Sequence, residues 1–191
     1  MIPPVGRSVK PRGATDPERR RRITEAAIEV VSERGVAGLT HRAVAQAAGV
    51  PLGSTTYHFA TLDDILEAAI QKALVDNREE RMRWGSTLSD DVDLAEALAE
   101  LTEQSTGPGR AKLLVEYELY FAALRHPSLR ALGRAWNEVL MEVLLPHTDV
   151  VTARALATFN NGLELESVIS GEPLRASEAQ VMYRRVIDAP R

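Results

Sequence analysis

Apolar residues recur every three or four positions through most of this chain. After Thr61, the residues Leu62, Ile65, Leu66, Ala69, Ile70, Ala73 and Leu74 form one stripe. Leu129, Leu132, Trp136, Val139, Leu140, Val143 and Leu144 form a second, and Val151, Ala155, Leu156, Phe159, Leu163 and Val168 a broader third. A period near 3.6 places such positions on one face of a helix, whereas a half-buried strand needs strict alternation. No segment alternates. The predicted fold is therefore all-α, with about nine helices. Aromatic residues make up only 5% of the chain, so the core is expected from Leu, Val, Ile and Ala, which suits helices.

Local punctuation sets the helix ends. Asp16-Pro17 can open the first helix, because Asp is a good N-cap and Pro is tolerated at the first helical position. Thr15 with Glu18 would serve as a capping box one residue earlier, and the sequence does not choose. The face Ile23, Ala26, Ala27, Val30, Val31 then runs to Gly35, read as a left-handed terminator. Thr40 caps a second, shorter helix that Gly49 breaks. Pro51 pushes Val50 out of the helical region, and Gly53 to Phe59 can form a short third helix. Thr61 and Asp64 cap a fourth. Helices are expected near 62–84, 92–105, 109–125, 128–145, 149–170 and 175–188.

Charge is uneven. Residues 1 to 62 hold nine Arg or Lys against five acids, while the whole chain has a net charge of −4. A basic head on an acidic body suggests a polyanionic partner for the head, against the plainer reading of a solvated charge run. There is no cysteine, which removes disulfides and thiolate chemistry and fits a reducing, cytoplasmic setting. Neither a leader's apolar region nor a run long enough to span a membrane is expected. Residues 1–15, rich in Pro, Gly and basic groups, read as a disordered basic arm; Arg7, Lys10 and Arg12 could follow a minor groove.

Thr40 to Phe59 reads as a helix-turn-helix. Ala45 and Gly49, four apart, are expected where two helices cross closely, with Gly49 also supplying a tight turn and Val50 filling the gap. The third helix would then present Ser54, Thr55, Tyr57 and His58. A helix this short suits insertion into a DNA major groove. The stretch "RRRRITEAAIEVVSERGVAGLTHRAVAQAAGVPLGSTTYHF", running into "TLDDILEAAI", resembles the tetracycline-repressor (TetR) family of bacterial transcription regulators over about residues 17 to 75. Two positions depart from that pattern: Thr55-Thr56 replaces a frequent Leu-Tyr pair, and Leu62 replaces a common lysine.

The resemblance implies a three-helix DNA-binding domain at 16–61 and a regulatory, ligand-binding and dimerisation domain at 62–191. It also implies a homodimer through the last two long helices, about 149–170 and 175–188. Each subunit would offer one recognition helix to a pseudo-palindromic operator, and a small-molecule effector would release the repressor. Candidate contacts to double-stranded DNA are Arg19, Arg22, Thr40, His41, Arg42, Gly53, Ser54, Thr55, Thr56, Tyr57 and His58. Beside these stand plainer roles: Thr40 as a cap, Tyr57 and His58 as packing, the arginines as solvated charges. Candidate effector-site residues are Trp84, Glu116, Tyr117, Tyr120, Phe121, Trp136, Phe159 and Asn160, each with a core reading beside it. Glu116, on an apolar face between Leu113 and Tyr120, needs either a polar ligand group or an internal arginine partner. Few aromatics and few charges lean the effector toward an apolar molecule.

Two other functions compete. One is a DNA-binding protein without an effector pocket; the other is a helical enzyme. His41, His58, His126 and His147 show no metal-binding spacing, and neither a phosphate loop nor a serine elbow is present. The chain is therefore read as a non-enzyme, with no cofactor, no metal and no membrane partner.

Overall fold

The computed structural model describes residues 16–189. The arm at 1–15, including Thr15 as an alternative cap, lies outside the described residues. Nine α-helices form among them, with no strand: α1 (Pro17–Arg34), α2 (His41–Ala47), α3 (Leu52–His58), α4 (Leu62–Gly85), α5 (Leu94–Thr106), α6 (Arg110–Arg125), α7 (Arg130–Leu144), α8 (Val150–Ser170) and α9 (Ala176–Ile187). Single 3₁₀ turns precede α2 and α7, at Val36–Gly38 and Pro127–Leu129.

Side chains cap most of the helices that the sequence marks. Asp16 accepts from the Arg19 amide at 3.2 Å, so Asp16 opens α1. Thr61 and Asp64 form a reciprocal capping box, with bonds of 2.8 and 3.1 Å. The Thr61 amide beside it holds the Asp64 carboxyl below the usual carboxylate range. Asp93 and Asp149 cap α5 and α8 in the same way.

Two glycine expectations need correction. Gly35 has φ 68° and ψ 172°. This is not the left-handed helical well but a region open almost only to glycine. Gly49 is left-handed, with φ 62°, yet a Cβ added there would meet nothing within 4 Å. Its role is the turn. Close packing between α2 and its neighbours falls to buried Ala45 and Val44.

Two apolar cores lie along the chain. The first gathers Ile23, Ala27, Val30 and Val31 of α1, Val44 of α2, Phe59, and Ile65, Leu66, Ala69 and Ile70 of α4, closed by Leu119 and Ala123 of α6. The division read at 61/62 therefore cuts through one core, because the head borrows half of α4 and the end of α6. The second core joins Leu98 of α5, Leu140 and Leu144 of α7, Leu156 and Leu163 of α8, and Tyr183 of α9. Trp84, near the end of α4, packs against this second core. With 24 residues, α4 is about 36 Å long and runs from one core to the other.

Candidate nucleic-acid interface and ligand cavity

The head is assembled from local ties. His41 Nδ1 lies 3.3 Å from Thr55 Oγ1, and Thr55 Oγ1 donates to the Leu52 carbonyl at 2.8 Å. The first joins α2 to α3 from inside, and the second ties Thr55 to the first turn of its own helix. Thr55 is fully buried, so the expectation that it faces outward is wrong: it is the peg of the turn. Arg20 stacks 4.1 Å above the Phe59 ring and donates to the His58 carbonyl at 2.8 Å, fastening α1 to the end of α3. In the sequence Arg20 is one of four consecutive arginines, and nothing local marks it from its neighbours.

The outer face of α3 carries Gly53, Thr56 and Tyr57, all exposed, with Ser54 and His58 half-buried at its margins. Tyr57 is 63% exposed, and its ring meets only the edge of His58 among the described aromatic contacts. A Cβ on Gly53 would meet nothing within 4 Å; nothing in the described chain requires glycine there. Thr40 caps α2 by accepting from the Ala43 amide at 3.0 Å and remains exposed beside Arg42. On α1, Arg19 pairs with Asp16 at 3.6 Å and Arg21 with Glu18 and Glu25 at 2.6 and 2.7 Å, whereas Arg22 is exposed and, among the described residues, acts on Glu18 by its charge alone.

In the second half, a cavity of about 190 Å³ lies between α6, α7 and α8. Tyr117, Tyr120, Phe121 and Trp136 line it with Glu116 and Glu164. The three α6 rings pack against one another, with centroids 5.6–6.4 Å apart. Tyr117 donates to the Asn161 carbonyl at 2.9 Å, fixing the ring against α8. An adjoining cavity of about 240 Å³ shares Leu113 and Glu116 and is lined on its far side by Trp84, Arg81 and Gln104.

Three expected wall residues lie elsewhere. Trp84 lines the adjoining cavity. Phe159 packs edge-on against Tyr183 at 5.5 Å in the second core. Asn160 is buried, and its Oδ1 accepts from Tyr183 at 2.9 Å and Thr102 at 3.2 Å; its neighbour Asn161 reaches the cavity instead. Glu116 does not pair with an arginine: Asn77 donates to both its oxygens at 3.3 Å, and Lys112 Nζ is 3.6 Å away. Burial nonetheless raises its pKa above the ordinary carboxylate value, with Lys112 and Asn77 offsetting part of the rise.

Glu164 was missed. It is 4% exposed and paired with Arg81 at 3.0 Å, so the aromatic cavity wall carries two carboxylates, each with a basic side chain beside it.

Two family models match the chain: "Bacterial regulatory proteins, tetR family" over residues 23–69, and "Tetracyclin repressor-like, C-terminal domain" over 89–189. The multidrug binding protein EbrR, solved with imidazole, is 42% identical with a TM-score of 0.81, over 92% of this chain and 98% of that one. EbrR has also been solved with ethidium, proflavin and malachite green. The transcriptional regulator BetI of Stenotrophomonas maltophilia (strain R551-3) is 26% identical over 93% of this chain and 95% of its own length. These relatives are regulators or binding proteins rather than enzymes, and on this evidence the chain belongs to the TetR family of bacterial transcription regulators.

Proposed function

We propose that this helix-turn-helix regulator is a homodimeric repressor, released from a pseudo-palindromic operator when an aromatic cation enters the cavity between α6, α7 and α8. The observation that carries the effector reading is the cavity itself, where two carboxylates, Glu164 buried and Glu116 partly so, stand among four aromatic rings. A flat cation gains from ring faces and from carboxylates together. Ethidium, proflavin and malachite green, the dyes bound by EbrR, are all aromatic cations.

For the head, the reading assigns Gly53, Thr56 and Tyr57 to the groove face, and Thr40, Arg42, His58 and Arg22 to the phosphate backbone. Open space at Gly53 lets a DNA backbone approach closely. Arg19 and His41 act at the margin, each already engaged inside the chain. The head and body are divided near 61/62, coupled through the core they share. Dimerisation is assigned to α8 and α9. Val151 and Ile169, 73% and 78% exposed, are 18 residues apart, which is about five helical turns. Ala155, Thr158 and Gly162 lie exposed on the same face between them. An uncharged stripe with small residues at its middle suits close packing of two copies. No helix among the described residues is long and apolar enough to cross a membrane, and a repressor of this kind works on DNA in the cytoplasm.

The test is a titration of DNA from the gene's own upstream region against random duplex, with and without ethidium. Selective binding that ethidium reverses is expected, with log affinity falling linearly in log salt. Equal affinity for both duplexes would reject operator recognition, and sedimentation as a 20.9 kDa monomer would reject the dimer.

Cation affinity should also depend on pH through Glu116. Its folded-state pKa is raised by burial, so it protonates earlier than an ordinary carboxyl as pH falls. Dye affinity is therefore expected to fall as pH drops through that raised value, and binding there should release protons, because the cation favours the ionised form. Dye titrations across the acidic range in the wild type and in Glu116→Gln check this: the variant should lose most of that slope.

A further inference from the structure

Four polar ties hold the C-terminal half of α4 to the body. Asn77 donates to Glu116, Arg78 meets Glu142 at 2.6 Å, Glu80 meets Lys112, and Arg81 meets Glu164 at 3.0 Å. They are not equal. The Arg78 and Glu80 pairs are about half-exposed, and such pairs contribute little. In the Arg81–Glu164 pair the side chains are only 11% and 5% exposed, so removing one partner strands a buried charge on the other. The two ties that end in the body's interior, from Asn77 and Arg81, both terminate on carboxylates that line the aromatic cavity.

We propose that Glu164 distinguishes effectors from mere occupants of the cavity: a cationic ligand takes its carboxylate from Arg81, and the loss of that tie frees α4. The proposal rests on the cavity being the effector site. Both hydrogen bonds that Glu164 accepts among the described residues, from Arg81 and from Ser105 at 2.8 Å, fall on Oε1. Oε2 accepts no hydrogen bond among the described residues and is the oxygen a ligand cation would take; pairing there weakens the Arg81 bond to Oε1, and the like charges of cation and guanidinium oppose joint occupancy of the one carboxylate. Arg81 has somewhere to go. It lines the adjoining cavity of about 240 Å³, whose walls also carry the Glu80 carboxylate and Gln104. A neutral aromatic can fill the space between the rings and leave the pair intact.

The consequence reaches the head through one helix. Arg81 and Ile65 are 16 residues apart on α4, about 24 Å, and Ile65, Leu66, Ala69 and Ile70 lie in the core of the head. A tie broken at one end of a stiff helix changes what orients the other end.

The test compares proflavin, a ring cation at neutral pH, with acridine, its neutral parent ring, on the full chain. Affinities come from calorimetry and the state of α4 from amide hydrogen exchange. In the wild type, proflavin is expected to bind more tightly and to speed exchange over the last turns of α4, whereas acridine binds without that change. Arg81→Met removes the internal competitor, so proflavin should gain about tenfold in affinity while acridine changes little. The variant's α4 should already exchange fast and respond to neither dye.

Arg81→Met with Glu164→Gln removes both charges, keeps the fold where the single change strands Glu164, and should cut the preference for proflavin by about tenfold relative to wild type. Proflavin affinity and α4 response unchanged in Arg81→Met would overturn the exchange while leaving the cavity reading intact. Failure of both dyes to bind any form, with DNA binding retained, would remove the cavity reading and this inference with it.

Discussion

Cutting Tyr183 back to alanine should destabilise the protein by about 3–5 kcal/mol, as expected for emptying a fully buried aromatic site. Tyr183 is 0% exposed and holds three helices at once. Its ring stands edge-on to Phe159 of α8, and its hydroxyl lies 2.7 Å from Thr102 Oγ1 of α5 and 2.9 Å from Asn160 Oδ1 of α8. Tyr183→Phe keeps the volume and should cost only about 1 kcal/mol. The smaller loss follows from the network: the one Thr102 hydroxyl proton is shared between the Leu98 carbonyl at 2.7 Å and Asn160 Oδ1 at 3.2 Å, so without the Tyr183 hydroxyl Asn160 Oδ1 keeps a donor and no buried donor is left without an acceptor. Urea unfolding at one fixed protein concentration separates the two effects, because a dimer's stability depends on concentration. Similar losses for both variants would mean that the hydroxyl, rather than the ring, holds α9 in place.

That triangle also shows what the sequence could not state. Caps are local, so Asp16, Thr40 and the Thr61–Asp64 box mark helix starts in the sequence, and the helix ends fall within about two residues of where they are expected, the ordinary scatter of helix boundaries. Sidedness on a broad apolar helix is another matter. Asn160 and Asn161 differ by about 100° around α8, and nothing in "ATFNNGLELES" says which faces α5 and α9 and which faces the cavity. Glu116 could be noticed because it interrupts an apolar face. Glu164 could not, because "LELES" reads as a helix edge with ordinary surface acids, and its partner Arg81 stands 83 residues away. Thr55 failed for a related reason. A seven-residue helix makes fewer than two turns, too few for a periodic pattern to fix its inner face. What was legible in the head was its order of parts; what was not was the contact of α1 and the 3₁₀ turn after it with α6, where Glu118 accepts from the Val36 amide at 2.9 Å. Such a contact needs the whole fold to exist.

Tyr57→Ala is expected to separate DNA binding from stability. With Tyr57 63% exposed and its ring edge-on to His58, the side chain contributes little to the free protein, and the variant's thermal midpoint should match the wild type within about 1–2 °C, as for a surface change. Operator affinity should fall by a factor of about 10–100 for each head, the scale of one lost groove contact at about 1–3 kcal/mol, and the loss should be larger on operator than on random duplex. Arg42→Ala should differ in kind: weaker binding on both duplexes, with the slope of log affinity against log salt reduced by about one per head. Thr55→Val gives the converse control. It removes the bond to the Leu52 carbonyl from a residue with no exposed surface, so it should lower the melting temperature by a few degrees, the equivalent of about 1 kcal/mol, and weaken DNA binding only by loosening α3. If instead Tyr57→Ala binds operator as tightly as wild type while Thr55→Val abolishes binding in a fully folded protein, the outward face of α3 is not the reading face, and the groove contact must come from another element of the head.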